Sequence, residues 1–195
     1  MKKNKSEIKK INKVIECVDW IRLLLISLLI AYFIPVFILR PLHVDGSSMY
    51  PTLEDKEFVL SNIFANLTSS INRFDVVVAK EPESGELWVK RVIALPGESV
   101  EVKGGKLYIN GQYMEEPFLD EEYMRSQTQG NTTFTKDFSA VKLQENEYFL
   151  MGDNRNHSLD SRARGPFKRE DIIGKHIYVL YPFSKARIVT NGNKN

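Results

Sequence analysis

The sequence holds a single cysteine, Cys17, among 195 residues, so no disulfide can close within the chain. Its three histidines, His43, His157 and His176, stand at no metal-ligand spacing from one another or from the cysteine, which argues against a zinc site. A charge excess is missing too. Lysine and arginine number 27 against 25 aspartates and glutamates, and the net +2 offers no bulk attraction to nucleic acid. No acidic stretch carries the central glycine and terminal glutamate of a calcium loop. No internal repeat is visible. Long apolar runs are scarce as well: there is one.

That run, "WIRLLLISLLIAYFIPVFIL" (Trp20 to Leu39), follows the lysine-rich start "MKKNKSEIKKINK". About 20 residues at ~1.5 Å each cross a hydrocarbon core of ~30 Å. Only Arg22, Ser27 and Pro35 interrupt it, and Arg22 lies close enough to the basic end to snorkel. No small-x-small cleavage site follows in "RPLHVDG", so the pattern predicts an uncleaved signal anchor. The lysines then leave residues 1–19 as a basic cytoplasmic segment, residues 20–39 as a transmembrane helix, and residues 41–190 outside the membrane. Ile8, Ile11, Val14, Ile15 and Val18 recur at helical spacing, which fits an interfacial helix or a continuation of the membrane helix.

Beyond residue 40 the period falls from 3.6 to two. "EFVLS", "FDVVVA", "ELWVKRVIAL", "SVEVK", "KLYIN", "EYFLMGD" and "HIYVLYPF" are β-branched or aromatic runs bounded by turn formers. "VKGGKLYING" predicts a hairpin across Gly104 and Gly105. Short helices are expected only in "KREDIIGK" and "NIFANLTSSI", and residues 115–140 read as a polar surface excursion. The predicted fold class is mostly β: an antiparallel β-rich domain behind one N-terminal transmembrane helix.

Three patches carry candidate chemistry. "DGSSMYPTL" (Asp45 to Leu53) places two serines just beyond the apolar run; it is either a turn or a nucleophile loop. In "ELWVKRVIAL" alternate residues share a face, and both faces are apolar apart from Lys90 and Arg91. At least one of these cations must be buried or paired. Desolvation would lower the pKa of a buried Lys90 and make it a usable general base, whereas a strand-edge lysine would reach water. The third patch, "MGDNRNHSLDSRARGP", packs Asp153, Arg155, Asp160, Arg162 and Arg164 among small polar residues. A Ser48–His157–Asp160 triad is conceivable there, as is a solvated turn of loosely paired charges.

Taken together, "GSSMYPTL", "RFDVVV", "KRVIALPGE" and "GDNRNHSLDSR", in this order behind an apolar N-terminal run, resemble type I signal peptidases in their compact Gram-positive form. The resemblance covers the whole chain and implies a membrane-anchored serine endopeptidase with a signal-peptidase-like β-rich catalytic domain. It makes Ser48 the nucleophile and Lys90 the general base, with the Ser48 backbone N–H in the oxyanion hole. Ser158 would orient the lysine amine, and Asp153, Asp160, Arg162 and Arg91 would form supporting ion pairs. Gly152 would allow close backbone approach. Implied partners are secretory preproteins, the lipid bilayer and, by proximity, the export machinery; no cofactor, metal or nucleic acid is implied. Two positions depart from the family's pattern. Gly46 stands where some members carry a hydroxyl that completes the oxyanion hole, and Phe74 stands where glycine is common. An anchored non-catalytic homologue, a self-cleaving Ser/Lys regulator and a structural envelope protein are the competing classes. The first would lack the serine or lysine, the second would carry a DNA-binding module, and the third would leave the ordered motifs as coincidence.

Overall fold

The computed structural model describes residues 2–128 and 132–191. The chain divides into two compact units, Met1–Ile38 and Leu39–Asn195. In the first, helix α1 (Lys2–Phe33) joins the lysine-rich start and the apolar run in one continuous helix. The apolar run does not stay α-helical to its end. Pro35 lacks the N–H that would bond the carbonyl of Ala31, and the chain widens into a π-helical turn over Ile34–Ile38. Leu39 already belongs to a strand. Among the described residues no helix is long and apolar enough to cross a membrane. The expected helix over residues 20–39 differs in extent: the α-helix stops at Phe33, and its final eighteen residues include Glu16, Asp19 and Arg22.

The second unit holds strands β1 (Leu39–His43), β2 (Phe58–Asn62), β3 (Val76–Lys80), β4 (Leu87–Ala94), β5 (Ser99–Lys103) and β6 (Lys106–Ile109). It continues with β7 (Gln112–Tyr113), β8 (Phe138–Lys142), β9 (Glu147–Met151), β10 (Phe167–Lys168), β11 (Ile172–Tyr181) and β12 (Arg187–Ile188). Short helices are α2 (Ile63–Thr68), α3 (Glu121–Gln127) and α4 (Ser161–Arg164). An eight-stranded sheet runs β1-β2-β11-β3-β4-β9-β10 with β12 beside β11, and a four-stranded sheet runs β7-β6-β5-β8. Every pairing is antiparallel. The hairpin across Gly104 and Gly105 forms, with Lys103 opposite Lys106. "KREDIIGK" is a tight 3-10 turn over Arg169–Asp171 that feeds β11 at Ile172, so the expected helix there gives way to the β-branched pair that follows. The polar excursion contains α3 and the start of β8; its residues 129–131 lie outside the described residues.

The large sheet is apolar on both faces. Val76 and Val78 pack with Val59, Ile177, Met49 and Leu53, while Val77 and Ala79 pack with Val92, Leu150, Phe167 and Ile172. This is why β3 reads as the unbroken run "VVVA" rather than alternating. Ile93, Val100, Leu107 and Phe149 join β4 and β9 to the smaller sheet. Strand β4 therefore runs between β3 and β9 at the junction of these clusters, where its side chains lose solvent on both sides.

Close approach limits one strand in particular. A Cβ on Gly174 of β11 would sit 2.1 Å from Ser61 Oγ on neighbouring β2, and that hydroxyl is buried without a hydrogen-bond partner. Gly174→Ala is expected to lower unfolding stability by about 1–3 kcal/mol through overpacking. Adding Ser61→Ala should restore most of it, because the nearest remaining side-chain atom would be 3.3 Å away. Chemical denaturation of the three variants checks both statements.

Candidate active site

The stretch around Ser48 is a turn pinned into the core. Met49 and Leu53, four residues apart and both buried, drop into the cluster beneath the large sheet, and the Leu53 N–H donates to the Met49 carbonyl at 2.9 Å. The Tyr50 N–H donates to the Ser47 carbonyl at 3.0 Å, which closes the bend over Ser48. Gly46 enters the turn at φ 89°, a left-handed conformation that glycine adopts without strain. The turn is thus also a nucleophile-type loop, with Ser48 half-buried and Ser47 exposed.

Lys90 meets it from β4. Its Nζ lies 2.7 Å from Ser48 Oγ, and the residue is 5% exposed. Burial pulls the amine down from 10.5 to about 8; Asp160 opposes the fall, Arg162 adds to it, and Asp153 opposes it. The Trp88 ring, two residues back on the same strand face, lies 5.5 Å from the nitrogen. Of the two open readings of Lys90, burial is the one the structure adopts. His157 is exposed and does not reach Ser48, and Asp160 is engaged elsewhere, so the histidine triad does not assemble.

The four residues expected as an ion-pair scaffold form two separate pairs. Arg91 donates from Nε and Nη2 to the two oxygens of Asp153 at 2.8 and 2.7 Å, a bidentate pair buried on both sides. Thr52 Oγ1 also donates to Asp153, so this carboxylate ties the turn after Ser48 to the strand bearing Lys90. Arg162 donates from Nε and Nη2 to Asp160, each at 2.8 Å, and the Gly152 N–H donates to the same carboxylate at 3.0 Å. Burial would raise the Asp160 carboxyl, but Arg162 and these hydrogen bonds hold it below its ordinary value.

Gly152 has no room for a side chain: a Cβ there would sit 2.3 Å from both the Ser48 carbonyl oxygen and Ser158 Oγ. Ser158 is therefore beside the pair, but it makes no hydrogen bond to the Lys90 amine. Its Oγ is buried without a bonded partner, close enough to Asp160 to help hold that carboxyl down. This departs from the expected lysine-orienting contact; the hydrogen bond of the amine runs to Ser48. Phe74 packs on Phe118 with the rings tilted by 55° and centroids 4.9 Å apart, and its carbonyl accepts from Arg91 Nη1 at 2.8 Å.

Several participants escaped sequence reasoning. Asn154 donates from its backbone N–H to the Ser48 carbonyl at 3.1 Å and from Nδ2 to the Ser47 carbonyl at 3.0 Å. Arg155, fully buried, pairs with Glu116 and donates to Thr135 Oγ1 at 3.1 Å and to the Gly152 carbonyl at 3.0 Å. Asn154 and Arg155 stood in the quoted "GDNR" motif, so their involvement was within reach. Their partners were not, because nothing local marks Glu116 or Thr135. No cluster of histidine, cysteine or carboxylate side chains suited to a metal occurs among the described residues.

A buried amine forced down to about 8 also destabilises the fold at neutral pH, because the unfolded chain binds its proton more readily. The cost is fully present below pH 8 and is relieved as pH rises from about 8 toward 10.5. Lys90→Met should therefore be more stable than the parent at pH 7, by an amount on the order of 3 kcal/mol at most, at 1.36 kcal/mol per unit. The gap should narrow steadily above pH 8, which urea titrations at pH 7, 9 and 10.5 will read.

The comparisons with known proteins agree with this geometry. The family described as "Signal peptidase, peptidase S26" matches residues 17–181. Signal peptidase I S of Bacillus subtilis (strain 168) is 40% identical over 184 residues, covering 94% of this chain and 98% of its own. Signal peptidase I U of the same organism is 42% identical over 149 residues, 76% of this chain and 79% of its own. A crystal structure of a signal peptidase I from Enterococcus faecalis V583 superposes with a TM-score of 0.51 at 34% identity, covering 55% of this chain and 97% of that one. A mostly β, antiparallel domain that places a serine against a buried lysine, matched to this family over most of its length, is a serine endopeptidase that belongs to the signal peptidase family, peptidase S26.

Proposed function

We propose that this chain removes N-terminal signal peptides from exported preproteins through a Ser48/Lys90 dyad, cutting after small residues at −1 and −3. The observation that carries the reading is the 2.7 Å contact between Ser48 Oγ and an amine whose pKa is near 8. Serine is a weak nucleophile until a neighbouring base removes its proton, and a neutral amine at that distance is such a base. Neutral Lys90 takes the Ser48 proton as the oxygen attacks the scissile carbonyl carbon. The Ser48 N–H, which makes no hydrogen bond among the described residues, is the available oxyanion donor. Gly46 contributes no hydroxyl there. The Lys90 ammonium then protonates the leaving amine, and the acyl-enzyme remains. Water, deprotonated by the same lysine, attacks the ester carbonyl and releases Ser48. Asp153, Asp160, Arg91 and Arg162 act through position and field, and Ser158 fills the space against Gly152.

The preprotein adds as an extended strand beside the cleft, with main chain pairing to main chain. The N-terminal unit serves as the anchor that holds the enzyme where preproteins emerge. A lysine-rich stretch precedes the apolar run, and Leu23, Leu24, Leu25, Ile26, Leu28, Leu29 and Ile30 of α1 are exposed on all sides. The α-helical part of that run is roughly 21 Å long at ~1.5 Å per residue, and the π-helical turn extends it toward the ~30 Å of a bilayer core. Residues 1–19 would lie in the cytoplasm, with the catalytic unit, spanning the expected residues 41–190, on the far side.

Cleavage of a peptide spanning an Ala-x-Ala site should rise roughly tenfold between pH 7 and pH 9, following titration of a base near 8. Ser48→Ala and Lys90→Met should lose activity by a factor of ~10³ or more, and His157→Ala should keep it. Activity surviving in Lys90→Met, or lost in His157→Ala, would sink the dyad. Arg162 helps depress the lysine, so Arg162→Gln should move the pH profile to a more alkaline midpoint.

A further inference from the structure

Residues 115–128 and 132–137 belong to an arm that no step of the dyad chemistry uses. It is nevertheless fastened to the motif around Gly152. Near its start Glu116 pairs with the buried guanidinium of Arg155, and near its end the Thr135 hydroxyl accepts from the same guanidinium. Between them Phe118 lies over Arg91, with the guanidinium carbon 4.1 Å from its ring centre. An arm tied near both ends to one guanidinium with no solvent exposure holds a set place beside the dyad. From it α3 sends Tyr123 to the nucleophile turn. The Tyr123 ring meets Tyr50, two residues after Ser48, edge to face with centroids 4.9 Å apart, and Phe134 backs Tyr123 at 6.0 Å. Tyr50 stays 38% exposed despite this contact, so an aromatic surface remains open beside the reactive serine.

We infer that Tyr50 and Tyr123 form a subsite for a large apolar or aromatic side chain just after the cut, on the mature side of the preprotein. The inference rests on the signal-peptidase reading of Ser48 and Lys90. A strand lying across Ser48 has two flanks. Strand β4 brings Lys90 to Ser48 on one of them. The flank beyond Ser48 in chain order opens with Tyr50. Two tyrosines side by side offer planar apolar surface with little side-chain entropy to lose, and aromatic pairs prefer such edge-to-face and offset arrangements. The arm therefore sets selectivity on the mature side of the cut.

The test uses the full chain in detergent and peptides identical from −7 to −1, carrying Ala, Phe, Lys or Asp in turn at +1, +2 and +3. The quantity read is the ratio of kcat/KM for each residue to that for Ala at the same position. For the parent enzyme, Phe should exceed Ala several-fold at one of the three positions. Tyr123→Ala should bring that ratio to near one, and Tyr123→Phe should keep it. The selectivity for Ala over Leu at −1, measured in parallel, should stay at its parental value in both variants. A parent with no mature-side preference overturns the inference, and so does a preference that Tyr123→Ala leaves intact or loses together with the −1 selectivity. Failure of the dyad reading shows separately, as cleavage by Ser48→Ala or Lys90→Met in the same assay.

Discussion

A lysine amine buried against a serine, with no carboxylate of its own, is the constraint on which the rest of this structure depends. Two carboxylates lie near enough to matter, Asp153 and Asp160, and either could hold Lys90 protonated far above neutral pH. Each is already bound at both oxygens by an arginine, Arg91 and Arg162. The arginines cannot lose their protons, so each acid has a charged partner of its own and neither pairs directly with the lysine. Desolvation then dominates, and the amine falls to about 8.

The sheet makes that arrangement possible. Strand β4 has β3 on one side and β9 on the other, and its two faces meet three apolar clusters. A lysine and an arginine in succession on such a strand both lose water, and the alternation of the strand sends them in opposite directions. Lys90 goes to the serine and Arg91 to Asp153. Asp153 in turn accepts from Thr52, and Asn154 donates to the carbonyls of Ser47 and Ser48, so the turn carrying the nucleophile is held from the same short segment. Gly152 lets that segment approach. Its missing side chain is the space in which the Ser48 carbonyl and Ser158 Oγ lie.

The N-terminal unit shows a different balance. Its composition reads as an anchor, yet the helix that contains it ends at Phe33 because Pro35 interrupts the hydrogen-bond ladder. Hydropathy counts residues, whereas a helix also needs an unbroken row of donors. The remaining apolar residues, Ile34 to Ile38, are helical in a wider and shorter form, and Leu39 is taken by pairing with Asn62.

What the sequence determined by itself was whatever depends on side-chain type and local period. The β-branched runs became strands, Gly104-Gly105 became a hairpin, and the parity of Lys90 and Arg91 on an apolar strand required a buried cation. The motifs in order marked Ser48 and Lys90 as the pair to watch. Only the tertiary structure decided the partners. Ser48 and Lys90, 42 positions apart, closed to 2.7 Å, Arg155 found Glu116, Tyr123 found Tyr50, and Ser158 was left against Gly152 without bonding the amine. Local chemistry says which groups need a partner once water is removed. Which partner arrives is set by the register of strands and the course of loops far apart in the chain, and no window of sequence contains both ends of those contacts.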